Sequence, residues 1–180
     1  MKVTFEPTPN PATLKFLLQR QVSNLAFDCQ TPQDAEKSPL AAKIFGFPWT
    51  AAVFIGTDFV TVTKQDWVEW EILAEPLAGM IQEHLDRGEP IVIELQSLDT
   101  DSTNDTPLIK GIKKILDTEI RPVVALDGGD IVFNKFENSI LYIHMRGACA
   151  GCPSSTITLK EGIEVRMKEV FPEILEVVAI

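Results

Sequence analysis

Hydrophobic positions divide the chain into short strand-like runs, helical stripes and polar breaks. Val3–Pro7 and Thr13–Leu18 read as strands on either side of Pro7-Thr8-Pro9-Asn10-Pro11, where the proline spacing disfavours helix. Ser38-Pro39 fits an N-cap followed by proline at the first helical position, opening a short helix through Phe45. Ala51–Ile55 and Phe59–Thr63 flank Gly56-Thr57-Asp58 and read as a hairpin. Asp66 with Glu69 resembles a capping box. Trp70, Leu73, Leu77, Met80 and Ile81 then form one helical stripe, which Pro76 should kink or restart and Gly88 and Pro90 should end.

Further along, Thr106 can cap a helix with Pro107 at its first position. Leu108, Ile112, Ile115, Leu116 and Ile120 give that helix its apolar face, and Pro122 should stop it. Ile131–Phe136 and Ile140–Met145 read as strands about a tight turn at Glu137-Asn138-Ser139. Residues 147–152 form a loop, and Pro153 follows. Leu159, Ile163, Met167 and Val170 mark a second long helix, with Glu164 and Lys168 as an i,i+4 pair. Ile174–Ile180 is a final strand.

Between the two sets of elements the pattern lapses. Residues 96–105 are polar and acidic with one large apolar residue, Leu98, and read as a linker. About ten flexible residues span on the order of 17–20 Å r.m.s.. The expected fold is α+β, as two small α+β domains joined by a flexible acidic linker, with boundaries 1–94, 95–106 and 107–180.

Composition narrows the functional classes. The 180 residues are 45% hydrophobic and 23% charged, which excludes collagen-like, wholly disordered and disulfide-scaffold chains. Sixteen basic residues stand against 26 acidic ones, a net charge of −10. Residues 1–94 hold 7 basic and 13 acidic groups, and residues 108–180 hold 9 and 10. Nucleic-acid or anionic-membrane partners, which need clustered Lys and Arg, are not expected. No apolar run approaches the ~20 residues of a membrane helix. The first residues show neither a signal-peptide core nor an Arg-rich transit segment, so the expected location is cytoplasmic, or a mature form whose targeting piece is missing.

Candidate chemistry rests on Cys149-Ala150-Gly151-Cys152. Thiols at i and i+3 on a loop can turn toward one ion or cluster, and the small residues between them allow close backbone approach. A helix beginning at Pro153 would offer backbone N–H groups and a dipole that favour thiolate. Packing thiols, a dithiol–disulfide exchanger, a zinc site and an iron–sulfur site all use such a pair. Zinc and the cubane cluster each want four ligands, so either implies two copies or a partner's thiols.

The surrounding residues carry a resemblance. Ile120-Arg121-Pro122, Asp127-Gly128-Gly129-Asp130, Gly147-Ala148-Cys149-Ala150-Gly151-Cys152-Pro153-Ser154-Ser155, Thr158-Leu159 and Gly162-Ile163-Glu164 stand in the order seen in NifU C-terminal domains. Residues 5–16, Phe5-Glu6-Pro7-Thr8-Pro9-Asn10-Pro11-Ala12-Thr13-Leu14-Lys15-Phe16, resemble the start of the N-terminal domain of Nfu-type proteins. The resemblance implies an iron–sulfur cluster scaffold or carrier. It implies Cys149 and Cys152 as cofactor and metal ligands, a labile [4Fe-4S] cluster held between two subunits, and delivery to apo-proteins. The implied partners are apo iron–sulfur clients, upstream assembly proteins and, on cluster binding, a second copy of the chain. Ligand exchange is not turnover, so no catalytic residue and no enzyme activity is expected. The alternative is a thiol–disulfide oxidoreductase using the same pair, and a third reading is a zinc-bridged interaction module.

Other residues read as structural. Cys29 stands apart as an ordinary thiol. His144, alternating with Tyr142 on a strand, reads as structural or surface, and His84 as lying on a helix flank. Asp127-Gly128-Gly129-Asp130 reads as a turn requiring positive φ at glycine. Trp49, Trp67 and Trp70 are expected in the first domain's core, an exposed member marking a client surface. Arg121 and Arg146 read as salt-bridged or solvated.

Overall fold

The computed structural model describes residues 2–23, 26–93, 105–150 and 153–180, with the backbone alone for 153–156. The chain divides into two compact units, Met1–Gln96 and Ser97–Ile180. Each is α+β and has its own core. Residues 95–104 of the expected linker lie outside the described residues.

The first unit is a five-stranded antiparallel sheet. Its strands are β1 (Thr4–Pro7), β2 (Thr13–Leu17), β3 (Phe27–Cys29), β4 (Thr50–Ile55) and β5 (Phe59–Lys64), in the order β1-β2-β5-β4-β3. Alternation sends Leu14 and Phe16 of β2 into the core with Val60 and Val62 of β5 and Val53 and Ile55 of β4. Lys15 therefore faces the other way, where Glu6 pairs with it at 3.1 Å and its ammonium lies 4.9 Å from the Phe59 ring centroid. The β4–β5 hairpin is as expected. β3 has three residues at the sheet edge, too few for a legible period.

Two helices cover the core face. Helix α1 (Pro39–Phe45) starts as read: Ser38 Oγ accepts from Ala41 N at 3.1 Å. Helix α2 (Trp70–Asp86) buries Ala74, Leu77, Ala78, Ile81 and Leu85. One expectation fails here. The capping box at Asp66 and Glu69 does not form, because Glu69 is itself the N-cap and its side chain caps nothing. Pro76 neither ends nor restarts the helix. Its ring is exposed while positions 74, 77 and 78 are buried, so the lost backbone bond lies toward solvent and packing carries the helix past it. Gly88, at φ +66°, then ends the run beyond Arg87.

The second unit opens with α3 (Pro107–Ile115), where Thr106 Oγ1 accepts from Ile109 N at 3.3 Å. Pro122 does not stop the helical run. A π turn, Leu116–Ile120, leads into α4 (Arg121–Leu126), with Pro122 in its first turn. A first-turn residue needs no i−4 bond, and the wider turn absorbs the register change. Strand β6 (Gly129–Glu137) pairs antiparallel with β7 (Ile140–Gly147) across a two-residue turn, Asn138 and Ser139, both at positive φ. Helix α5 (Pro153–Val170) crosses over to β8 (Glu176–Ala179), which lies parallel to β7. Ile131, Leu141, Ile143 and Val177 of the sheet meet Ile112, Leu116, Val124, Ile163 and Met167 of the helices.

Candidate functional site at the end of strand β7

The site is built where two antiparallel strands meet their flanking turns. Gly129 opens β6 opposite Gly147, which closes β7. The loop past β7 is tied back to the turn before β6: Ala148 N donates to Gly128 O at 3.1 Å, and Ala150 N donates to Gly147 O at 3.1 Å. Cys149 lies between these bonds. Cys152 falls outside the described residues, and α5 begins directly after it.

Each glycine of Asp127-Gly128-Gly129-Asp130 has its own reason. Gly128 sits at φ +78°, the left-handed conformation the sequence reading assigned to this turn. Gly129 is needed for space. A Cβ there would overlap Cys149 Sγ and stand 3.0 Å from Arg146 O. That role depends on a contact twenty residues away in the chain, so no local signal discloses it.

Cys149 is 6% exposed and belongs to the second unit's hydrophobic core. Burial pushes its thiol pKa up to about 12, and the carboxylates of Asp127 and Asp130 add to the shift. The expectation of a surface thiolate poised by the helix dipole is thus corrected. Low dielectric and two nearby acids favour the protonated thiol at this packed sulfur. Among the described residues no group of three or more His, Cys, Asp or Glu is placed to hold a metal ion. The one sulfur described here suits a soft metal centre, but it is not a complete ligand set.

Arg121 and Asp130 brace the turn. Arg121 Nε donates to Asp130 Oδ1 at 2.7 Å and Nη2 to Oδ2 at 3.1 Å, while Nη1 reaches Asp117 at 3.0 Å. The forked pair ties the start of α4 to the start of β6, as the salt-bridge reading of Arg121 expected. Arg146 is half-buried and makes no ion pair among the described residues.

The histidines lie elsewhere. On β7, His144 receives the Asn134 amide on Nε2 at 3.0 Å, which leaves Nδ1–H to donate to Ile180 O at 3.2 Å. Both ring nitrogens serve structure, as expected. His84 is not on a helix flank but 1% exposed. Lys43 donates to its Nδ1 at 3.1 Å, so Nε2–H donates to Pro90 O at 3.2 Å. Cys29 is fully buried, and burial, aided by Asp28 and Asp34, pushes its thiol up to about 12. Trp49 is buried and Trp70 packs against the first core, whereas Trp67 is 67% exposed.

Comparison with known proteins follows the same division. The family described as scaffold protein Nfu/NifU N terminal matches residues 3–88, and the NifU-like domain matches residues 112–178. The human mitochondrial protein named NFU1 iron-sulfur cluster scaffold homolog is 38% identical over 177 residues, covering 97% of this chain and 70% of its own length. The Drosophila persimilis protein of the same name is 37% identical over 97% of this chain. NifU-like protein 5, mitochondrial, of Arabidopsis thaliana is 39% identical over 91%. The chain spans 63% and 62% of the length of these last two relatives. All three carry a mitochondrial name, which overturns the cytoplasmic expectation. That expectation rested on a missing leader, which says nothing about where a mature chain resides. With both parts matched in order and a human relative aligned along almost the whole sequence, the chain belongs to the Nfu family of iron–sulfur cluster scaffold proteins.

Proposed function

We propose that this protein assembles a labile [4Fe-4S] cluster between two copies of the chain and passes it to apo-proteins. Cys149 and Cys152 of each copy are the ligands. The cluster is cargo, received from assembly proteins and surrendered to clients. The observation that carries the reading is the incomplete donor set: the chain has one CxxC pair, its third cysteine, Cys29, is fully buried in the other unit's core, and no other ligand cluster stands among the described residues. Four thiolates therefore require a second chain. The family membership supports the scaffold role.

The chain's own contribution is positioning and proton release. The Gly128–Gly129 turn holds Cys149 against the core, and the thiol must lose its proton to bind iron, so loading releases protons. Two ligands per chain suit delivery, because client thiolates can replace them one at a time. No substrate is turned over.

Ligand assignment is tested by anaerobic reconstitution with iron and sulfide. Cys149→Ser and Cys152→Ser should each lose the cluster absorption in the visible range, and Cys29→Ser should keep it. A Cys29→Ser variant that reconstitutes poorly, while folding normally by circular dichroism, would contradict the assignment.

A further inference from the structure

The first unit carries a surface that the cluster reading does not use. Between β5 and α2 an open groove of about 330 Å³ is lined by Pro11, Lys64, Asp66, Glu69, Trp70 and Glu71, among others. Trp70 is held edge-on by Phe16 and Trp49, at centroid distances of 6.4 and 6.5 Å. Its indole Nε1–H is buried and has no acceptor among the described residues. Trp67 and Ile72, on the same segment, are 67% and 73% exposed.

The charges around these apolar groups are equally unpartnered. Asp66, Glu69, Glu71 and Glu75 are all exposed, and none makes an ion pair or side-chain hydrogen bond among the described residues. Elsewhere the acids are commonly paired, as Glu83, Glu89, Asp117, Glu119, Asp130 and Glu164 are. Only Lys64 offsets the groove's three carboxylates. Large exposed aromatic and aliphatic side chains beside unpaired charge of one sign mark a contact surface with a preferred partner charge.

We propose that this face docks a basic, amphipathic segment of a partner protein. Lysine or arginine side chains meet Asp66, Glu69 and Glu71, and apolar side chains cover Trp67 and Ile72. The proposal does not depend on the cluster.

The test uses the full chain and a fluorescent synthetic peptide of alternating lysine and leucine, with a glutamate–leucine peptide as control, read by anisotropy. The basic peptide should bind, and the acidic one should not. The triple variant Asp66→Asn, Glu69→Gln, Glu71→Gln should weaken binding roughly tenfold, since three surface pairs contribute about 0.5 kcal/mol each. Trp67→Ala should weaken it by a similar or larger factor. All four positions are exposed, so thermal stability should hold. In an NMR titration the indole N–H signals of Trp67 and Trp70 should move more than that of Trp49. Equal affinity for both peptides, or unchanged affinity in either variant, would overturn the proposal. So would self-association of the chain that Trp67→Ala abolishes, which would make the occupant a second copy.

Discussion

A single missing methyl group fixes where Cys149 can lie. Gly129 leaves room for its sulfur, and a Cβ at that position overlaps it and presses on the Arg146 carbonyl at 3.0 Å. Gly129→Ala should therefore destabilise the second unit by about 1–3 kcal/mol, as overpacking of a filled site does. It should also lower the iron retained after reconstitution, because the loop carrying Cys149 must move. The check is a denaturation midpoint together with iron content on one preparation. Full stability with full loading would show that the loop yields freely and that the contact positions nothing. The sequence announces a turn at these glycines through local chemistry alone. Their second duty was not legible, since it arises when β6 and the end of β7 meet. The same limit hid the burial of Cys149: a CxxC before a helix looks exposed locally, whereas Cys149 joins the second unit's core.

Elements were legible where their pattern was long or their cap was local. Helix α1 begins at Ser38, α3 at Thr106, and the β6–β7 turn sits at Asn138-Ser139, all from short-range chemistry. Pro122 misled, because a proline's effect depends on its place in the helix and on the turn type around it. The buried end of α2 was equally hidden. There His84 joins α1 through Lys43 and joins the chain beyond α2 through Pro90. Burial first, then Lys43 and Arg87, lowers its pKa, against the pull of Glu89 and the Pro90 carbonyl. A histidine held neutral below its unfolded pKa of ~6.5 contributes stability that is complete above that value and is lost as pH falls through the folded value. Protonation would also replace the lone pair on Nδ1 that accepts from Lys43. The first unit should consequently weaken in acid, by up to about 1.4 kcal/mol per pH unit between the unfolded value and the lower folded one. Urea midpoints at about pH 7.5 and pH 5, compared with His84→Gln, check this. A slope unchanged in the variant would assign the acid sensitivity to other groups.

At the scale of the molecule, the chain combines two independently cored units with different chemical endowments. The first holds an acidic, aromatic surface and an inert thiol. The second holds the cysteine pair, with a core that encloses Cys149 and stops short of supplying four ligands. Both α+β units could be read from periodicity and the polar break between them, whereas the proposed second copy rests on counting cysteines alone. No helix among the described residues is long and apolar enough to cross a membrane. The central claim is that one cluster is shared by two chains, and the most direct measurement is iron, acid-labile sulfide and molecular mass on the same anaerobically reconstituted sample. The account predicts a dimer with about two iron and two sulfide per chain, a four-iron cluster divided between two copies. A monomer that carries a complete cluster, or a dimer that forms without iron and sulfide, would contradict it.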